Sequence, residues 1–479
     1  MWRDDGEMPR LLCKPRMTGD FAMTDSTCRR RGALLALLLA LPLAAASAQP
    51  APGTWVVKPE WVKADEEALA SDALQGRGSA TPDEAKAADW VAARFAEFGL
   101  ARAPGMASYL QKATVIQPVL SGTPVLSAGG ENLGGVALLM APLGEVRGTL
   151  AVATSADPAA LPAADIVAVT SDKADLSALA RAAHAKGIKL LLVRESPLTK
   201  MVVQQMGGRP QMSAYLEGQT PHAMGLGAVP GRAFDSLARQ AGKETVLALP
   251  GLAMGRGTTT NAIGYLPGTD PAAGVLLLSA HLDHLGRRAD GTIMHGADDD
   301  ASGVTAVVEL ARALAAGPRS RRGILFVCYG AEELGGFGSA YFGAHPPVPL
   351  DKIAANIEFE MIGAQDPKLP KGALMVTGYE RSNLAETLAA HGAQVAPDPY
   401  PTEHFFERSD NYQLALKGVV AHTLSGWATT PVYHKPTDTI ANLDMTFMTA
   451  AIQSLIEPVR WLAASDFQPQ WKAGGRPGR

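Results

Sequence analysis

Cysteine is nearly missing from this chain: three residues in 479, at positions 13, 28 and 328. Cys13 and Cys28 both precede the apolar run Ala33–Ala46. If that run is a removable leader, Cys328 is the only thiol left, which excludes an internal disulfide and a cysteine-built metal site. Within Ile324–Tyr329 it reads as a small apolar side chain. A charge excess is also lacking: 43 Lys and Arg stand against 47 Asp and Glu, a formal net charge of −4. No nucleic-acid or anionic-membrane partner is therefore expected. The run Ala33–Ala46 falls short of the ~20 apolar residues that a membrane-spanning helix needs, so no stable membrane anchor is expected either. Internal repeats are absent, and with them the stacked-repeat architectures.

What is present begins with an export signal. Arg29-Arg30-Arg31 precedes the apolar run, which closes on Ala46-Ser47-Ala48. A basic head, a short apolar middle and an Ala-x-Ala end describe a signal peptide cleaved after Ala48, and an exported, periplasmic or secreted protein. Residues ahead of Met23 read as sequence upstream of the true start, so 1–48 form an over-long start plus leader.

Beyond Ala48 the hydrophobic period changes along the chain. Ala85, Ala88, Val91, Ala92, Phe95 and Phe98 recur at helical spacing, and Gly99 ends that helix. From about 121 to 250 short β-type runs, such as Leu150–Ala153 and Ile166–Val169, surround one helix at Leu176–Lys186, a pattern that fits a smaller β-rich α/β domain. Gly255-Arg256-Gly257-Thr258-Thr259-Thr260-Asn261 reads as a return linker. Then come apolar runs at Val275–Ser279, Ile324–Tyr329 and Ile353–Ile357, with an amphipathic helix starting near Ser302. Continuous apolar strands alternating with helices imply an α/β fold, a mostly parallel sheet covered on both faces. The expected organisation is 49–120 and 251–465 as two parts of one domain, 121–250 as an insertion, and 466–479 as a tail.

Candidate metal ligands fall at the ends of those strands. His281 follows the Val275 run, Glu332-Glu333 the Ile324 run and Glu360 the Ile353 run; Asp299 precedes a helix and His434 lies in a late loop. In open parallel sheets, ligands gather beyond the strands' carboxyl ends. Two His and several carboxylates suit two zinc ions side by side, and the sequence reads as a metal-dependent hydrolase. Asp299, Glu333 and Glu360 against two Zn²⁺ leave one positive charge, which a bridging hydroxide neutralises; metal-held water of that kind has a pKa near ~7. A carboxylate is still needed to carry its proton, and Glu332 is the natural candidate. Asp283 could orient the His281 ring. Asp298 and Asp300 read as loop-shaping residues, His284 and His295 as surface residues or neighbours of the ligands, and Glu358 stays open beside Glu360.

These motifs carry a resemblance. His281-x-Asp283, Gly296 to Gly303, Glu332 to Gly335, Glu360 to Gly363, and Tyr433-His434 followed by Asp438-Thr439 resemble the pattern of the secreted di-zinc aminopeptidases of peptidase clan MH. That clan also holds glutamate carboxypeptidases, glutaminyl cyclases and the transferrin-receptor ectodomain. The resemblance covers about Leu69 to Ile456. It implies a zinc-exopeptidase fold with an inserted protease-associated (PA) domain at 121–250. It also implies two Zn²⁺ per chain, with Asp299 bridging, His281 and Glu360 completing one site, Glu333 and His434 the other, and Glu332 as general base. The Asp299–Asp300 peptide would be cis. Asp410 matches a family Ser-Asp-His position, here with Asn411 third. Glu360 stands where the family usually has Asp. The implied substrates are peptides with a free N-terminus.

Three other activities share these motifs in part. A glutaminyl cyclase has no counterpart of His281. A carboxypeptidase for acidic peptides needs an arginine cluster, for which Arg381 and Arg408 are available. An inactive binding protein of the receptor type loses ligands that this chain keeps.

Overall fold

The computed structural model describes residues 55–171, 175–219, 221 and 223–478. The leader, its cleavage point after Ala48 and the Gln49–Gly53 segment lie outside the described residues. Among those described, no helix is long and apolar enough to cross a membrane.

Two sheets organise the unit that begins at Val57. The larger has nine strands, and its centre is four parallel neighbours: Gly323–Tyr329, Val275–His281, Ile353–Glu360 and Ala421–Ser425. Every residue of the Val275 and Gly323 strands is buried. Such strands are covered on both faces, which is why they read as unbroken apolar runs. Helix Gly303–Ala315 covers one face, buried almost throughout, and the terminal helix Met445–Ala464 packs against that helix in turn. The opposite face packs Phe342, Tyr412 and Leu414 against Leu277, Leu325 and Val327. Antiparallel pairing is confined to the flanks, through Leu374–Val376 on one side and Leu252–Leu266 on the other.

The Gly/Thr-rich segment Gly255–Asn261, expected to be a linker, is instead the middle of the fifteen-residue strand Leu252–Leu266. It pairs with Leu110–Leu120 over their whole shared length, Leu120 opposite Leu252 and Leu110 opposite Ala262. Three consecutive threonines suit a pleated strand. The glycines mark close backbone approach rather than a break: a Cβ on Gly257 would stand 2.5 Å from the Ala80 carbonyl oxygen.

The second sheet has eight strands, all from Glu131–Gly135, Val125–Ala128 and the elements up to Glu244–Ala248. It has its own apolar clusters on its two faces, around Phe234 and Leu247 and around Leu179 and Ala183. The chain enters and leaves this region side by side, because Gly122 N–H donates to the Pro250 carbonyl at 3.1 Å. The C-terminal segment also packs: Trp471 donates its indole N–H to Gly418 at 3.1 Å and sits edge-on to Phe406.

Candidate metal centre

Three strand ends and two loops meet above the parallel centre of the large sheet. His281 and Glu360 are the last residues of their strands. Glu332 and Glu333 lie in the turn just beyond the Gly323–Tyr329 strand. Asp299 sits in the segment Ala297–Ser302, which leads into helix Gly303–Ala315, and the Asp299–Asp300 peptide is cis.

The turns that aim these groups contain three non-glycine residues with left-handed backbones: Ala331 (φ 52°), Met361 (φ 54°) and His434 itself (φ 54°). Such conformations cost about 1–3 kcal/mol each and persist only where surroundings enforce them. Buried carboxylates do so at two of the three. Glu84 accepts the Ala331 N–H at 3.1 Å, and Asp300 accepts the Met361 N–H at 3.0 Å.

Around Asp299 the distances are short. His281 Nε2 lies 3.2 Å from Asp299 Oδ1, while His434 Nε2 lies 3.2 Å from Asp299 Oδ2 and 3.0 Å from Glu333 Oε2. His281, Asp299 and Glu360 form one group able to hold a cation; His284, Asp299 and Glu333 form a second that shares Asp299.

The donor set passes a direct test for metal. His281 Nε2, His434 Nε2 and Asp299 Oδ2 are buried atoms with no hydrogen-bond partner, although carboxylate oxygens stand close by. Zinc bonds of about 2.0–2.1 Å in a tetrahedral shell place neighbouring donor atoms about 3.3 Å apart, close to the separations seen.

The electrostatics agree. Burial alone would raise the Asp299 carboxyl, but hydrogen-bonding distance to His281 and His434, with His284 near, holds it well below the ordinary range. Burial would lower His434, yet Asp299 and Glu333 raise it to about 10. Burial raises the Glu332 carboxyl well above its usual value, and the nearby Asp410, Glu360 and Glu333 add to the rise. Acids crowded this closely in a desolvated pocket call for compensating positive charge.

The surrounding carboxylates hold backbone. Asp283 accepts the N–H groups of Glu332 (3.0 Å) and Glu333 (3.2 Å), so it fixes the turn that carries both acids. The His281 ring turns its Nδ1 to the Asp283 main-chain oxygen at 3.2 Å, with the Asp283 carboxylate farther away at 3.8 Å. Asp438 accepts from Asp298 and Asp299 N–H. Asp300 accepts from His281 and Gly303 N–H as well as Met361. Asp410 accepts a short bond from Ser339 at the start of the helix after the Glu332 turn. Glu358 is fully buried and accepts from Ser409; Glu360, not Glu358, belongs to the His281 group. The Glu332 carboxylate has no hydrogen-bond partner among the described residues.

His284 was the residue least visible in the sequence. It is fully buried, and its Nδ1 lies 2.9 Å from Glu333 Oε1. The only advance signal was its place three residues after His281, just past the strand end. His295 lies outward, against Asp72. Of the two arginines, Arg381 lies over Phe406 and bonds Gly475, whereas Arg408 borders the pocket that Glu360 also lines.

A mixed sheet with a parallel centre, with His and carboxylate groups gathered at its strand ends around Asp299, is an α/β fold of the zinc-exopeptidase type. Residues 261–458 match the family model for peptidase family M28. Among curated proteins it is 37% identical to leupeptin-inactivating enzyme 1 of Streptomyces exfoliatus over 117 residues, 23% of this chain and 25% of that protein. It is 28% identical to the probable lipoprotein aminopeptidase LpqL of Mycobacterium tuberculosis over 209 residues, 37% of this chain and 40% of that one. The matches thus span between a quarter and two fifths of those relatives. In fold, the chain is similar to an aminopeptidase from Aneurinibacillus sp. strain AM-1 (TM-score 0.54, 18% identity, 86% of this chain and 95% of that one). It is also similar to the zinc aminopeptidase BSAP of Bacillus subtilis (TM-score 0.52, 19% identity, 88% and 97%).

Proposed function

We propose that this protein is a metal-dependent exopeptidase, a di-zinc aminopeptidase that removes N-terminal residues from peptides. The observation that carries the reading is the sharing of Asp299 between two donor groups. His281 and Glu360 would complete one zinc site, Glu333 and His434 the other. When bound, the two ions supply an acidified water and a Lewis acid for the scissile carbonyl.

The chain's own groups do the rest. Glu332, held by the Asp283-anchored turn and free of hydrogen-bond partners, takes a proton from the attacking water and returns it to the leaving amine. The free α-amine of the peptide would bind at the metals on the Glu332 side, which selects substrates with a free N-terminus. Export through a leader cleaved after Ala48 belongs to the same proposal, as does a PA-like inserted domain at 121–250 offering a recognition surface.

The test is a panel of aminoacyl-anilides and N-blocked peptides, assayed with and without chelator. Cleavage of free-amine substrates alone, abolished by chelation and restored by zinc, supports the reading. Equal cleavage of blocked substrates, or turnover that survives complete zinc removal, rejects it.

A further inference from the structure

We propose that Arg408 and the pocket it borders select peptides whose first residue has an acidic side chain. The inference rests on the aminopeptidase reading and names its substrate class. The pocket lies beyond the strands Ile353–Glu360, Leu374–Val376 and Ala421–Ser425, and its lining runs from Glu360 and Tyr433 to Arg408. Glu360 belongs to the His281–Asp299 group and Tyr433 stacks on His434 at 3.8 Å, so the pocket opens onto the metal centre. A substrate with its α-amine at that centre would place its first side chain here.

The chemistry of the walls is polar at the points that matter. Arg408 is exposed and lays its guanidinium over Phe405 at 4.9 Å. Among the described residues, no carboxylate stands within ion-pair distance of it. Thr423 is 2% exposed, and its Oγ1 has no hydrogen-bond partner. Thr377 Oγ1 accepts the Thr423 N–H at 3.2 Å, which leaves its own proton to donate. Met361 and Met375 supply the apolar stretch for side-chain methylenes.

A stacked guanidinium with two hydroxyl donors matches a carboxylate, since arginine's fork binds both oxygens at once. A leucine side chain would instead cover Thr423 and Arg408 and give them no partner, at the cost of an unsatisfied buried polar group. Glu360 is the one anion in the lining, and its charge is matched by the cation its group is built to hold.

Glutamyl and glutaminyl substrates have nearly the same shape and differ in charge, so their ratio isolates the effect. In zinc-loaded wild type, kcat/KM for glutamyl-anilide should exceed that for glutaminyl-anilide by about tenfold or more, the scale of a charge-assisted bidentate pair. In Arg408→Met the ratio should fall to near one, whatever the absolute rates; Arg408→Lys should keep its direction, and Arg408→Glu should shift preference to lysyl substrates. Calorimetric titration of free glutamate and glutamine into the same proteins gives the second readout, independent of turnover. Glutamate discrimination that vanishes in Arg408→Met supports the subsite. If that occurs while no aminoacyl substrate is cleaved, the subsite stands and the peptidase reading falls. Preference for leucyl over glutamyl substrates, unchanged by Arg408→Met, overturns the proposal.

Discussion

Asp438 holds the backbone N–H of Asp299 at 3.1 Å and that of Asp298 at 2.8 Å, across 139 and 140 residues of chain. The residue that both donor groups share is thus aimed by a carboxylate from the far end of the domain. In Asp438→Asn one oxygen becomes an NH₂ that faces an N–H. Zinc affinity should fall by about 10–100-fold, the usual effect of losing a ligand's supporting contact, measured by competition with a chromophoric chelator. Unchanged affinity would show that Asp299 is positioned without Asp438.

Glu332 makes no contribution to metal ligation in the proposed arrangement. Glu332→Gln should keep two zinc ions per chain and lose about 10²–10⁴-fold in kcat. Metal analysis and steady-state kinetics on one preparation read both. Near-normal turnover would remove Glu332 from proton transfer.

The two histidines near Glu333 should separate by stoichiometry. His434 Nε2 is within 3.2 Å of oxygens from both Asp299 and Glu333. His284 Nδ1 is hydrogen-bonded to Glu333 but 3.7 Å from Asp299. His434→Ala should bind one zinc where the wild type binds two, while His284→Ala should still bind two at saturating zinc, the second about 10–100-fold more weakly. The opposite pattern would make His284 the ligand.

Away from the metal centre, His422 offers a proton-linked test. Its ring is locked between Ser382 Oγ at 2.7 Å and the Thr377 carbonyl at 2.9 Å, and burial lowers its pKa from 6.5 to about 4. Between those two values the unfolded chain binds a proton that the folded one does not, so stability rises with pH there and falls on acidification. From pH 7 to pH 5 the loss attributable to His422 is about 2 kcal/mol. The gap in urea-unfolding free energy between wild type and His422→Gln should narrow by that amount, with zinc effects common to both proteins. A constant gap would mean that the His422 ring takes up its proton in the folded protein as readily as in the unfolded chain.

Much of this centre was readable before the fold was known. Unbroken apolar runs at 275, 324 and 353 imply strands buried on both faces, and strand ends in such sheets are where functional groups collect. The spacing of His281, Glu332-Glu333 and Glu360 past those runs therefore pointed to one location. The strand at Leu252–Leu266 was hidden because its glycines imitate a loop; what requires them is contact with Ala80 and Gln117, which no local pattern encodes.

Chain chemistry alone settled which donor atoms are available and which strands deliver them, because ligand type and hydrophobic period are local properties. Assembly of the domain decided the rest: the left-handed backbones at Ala331, Met361 and His434, the burial of His284 against Glu333, and the arrival of Arg408 beside Glu360. Each depends on groups far apart in the chain, and such contacts take shape only once the sheet has brought its loops together.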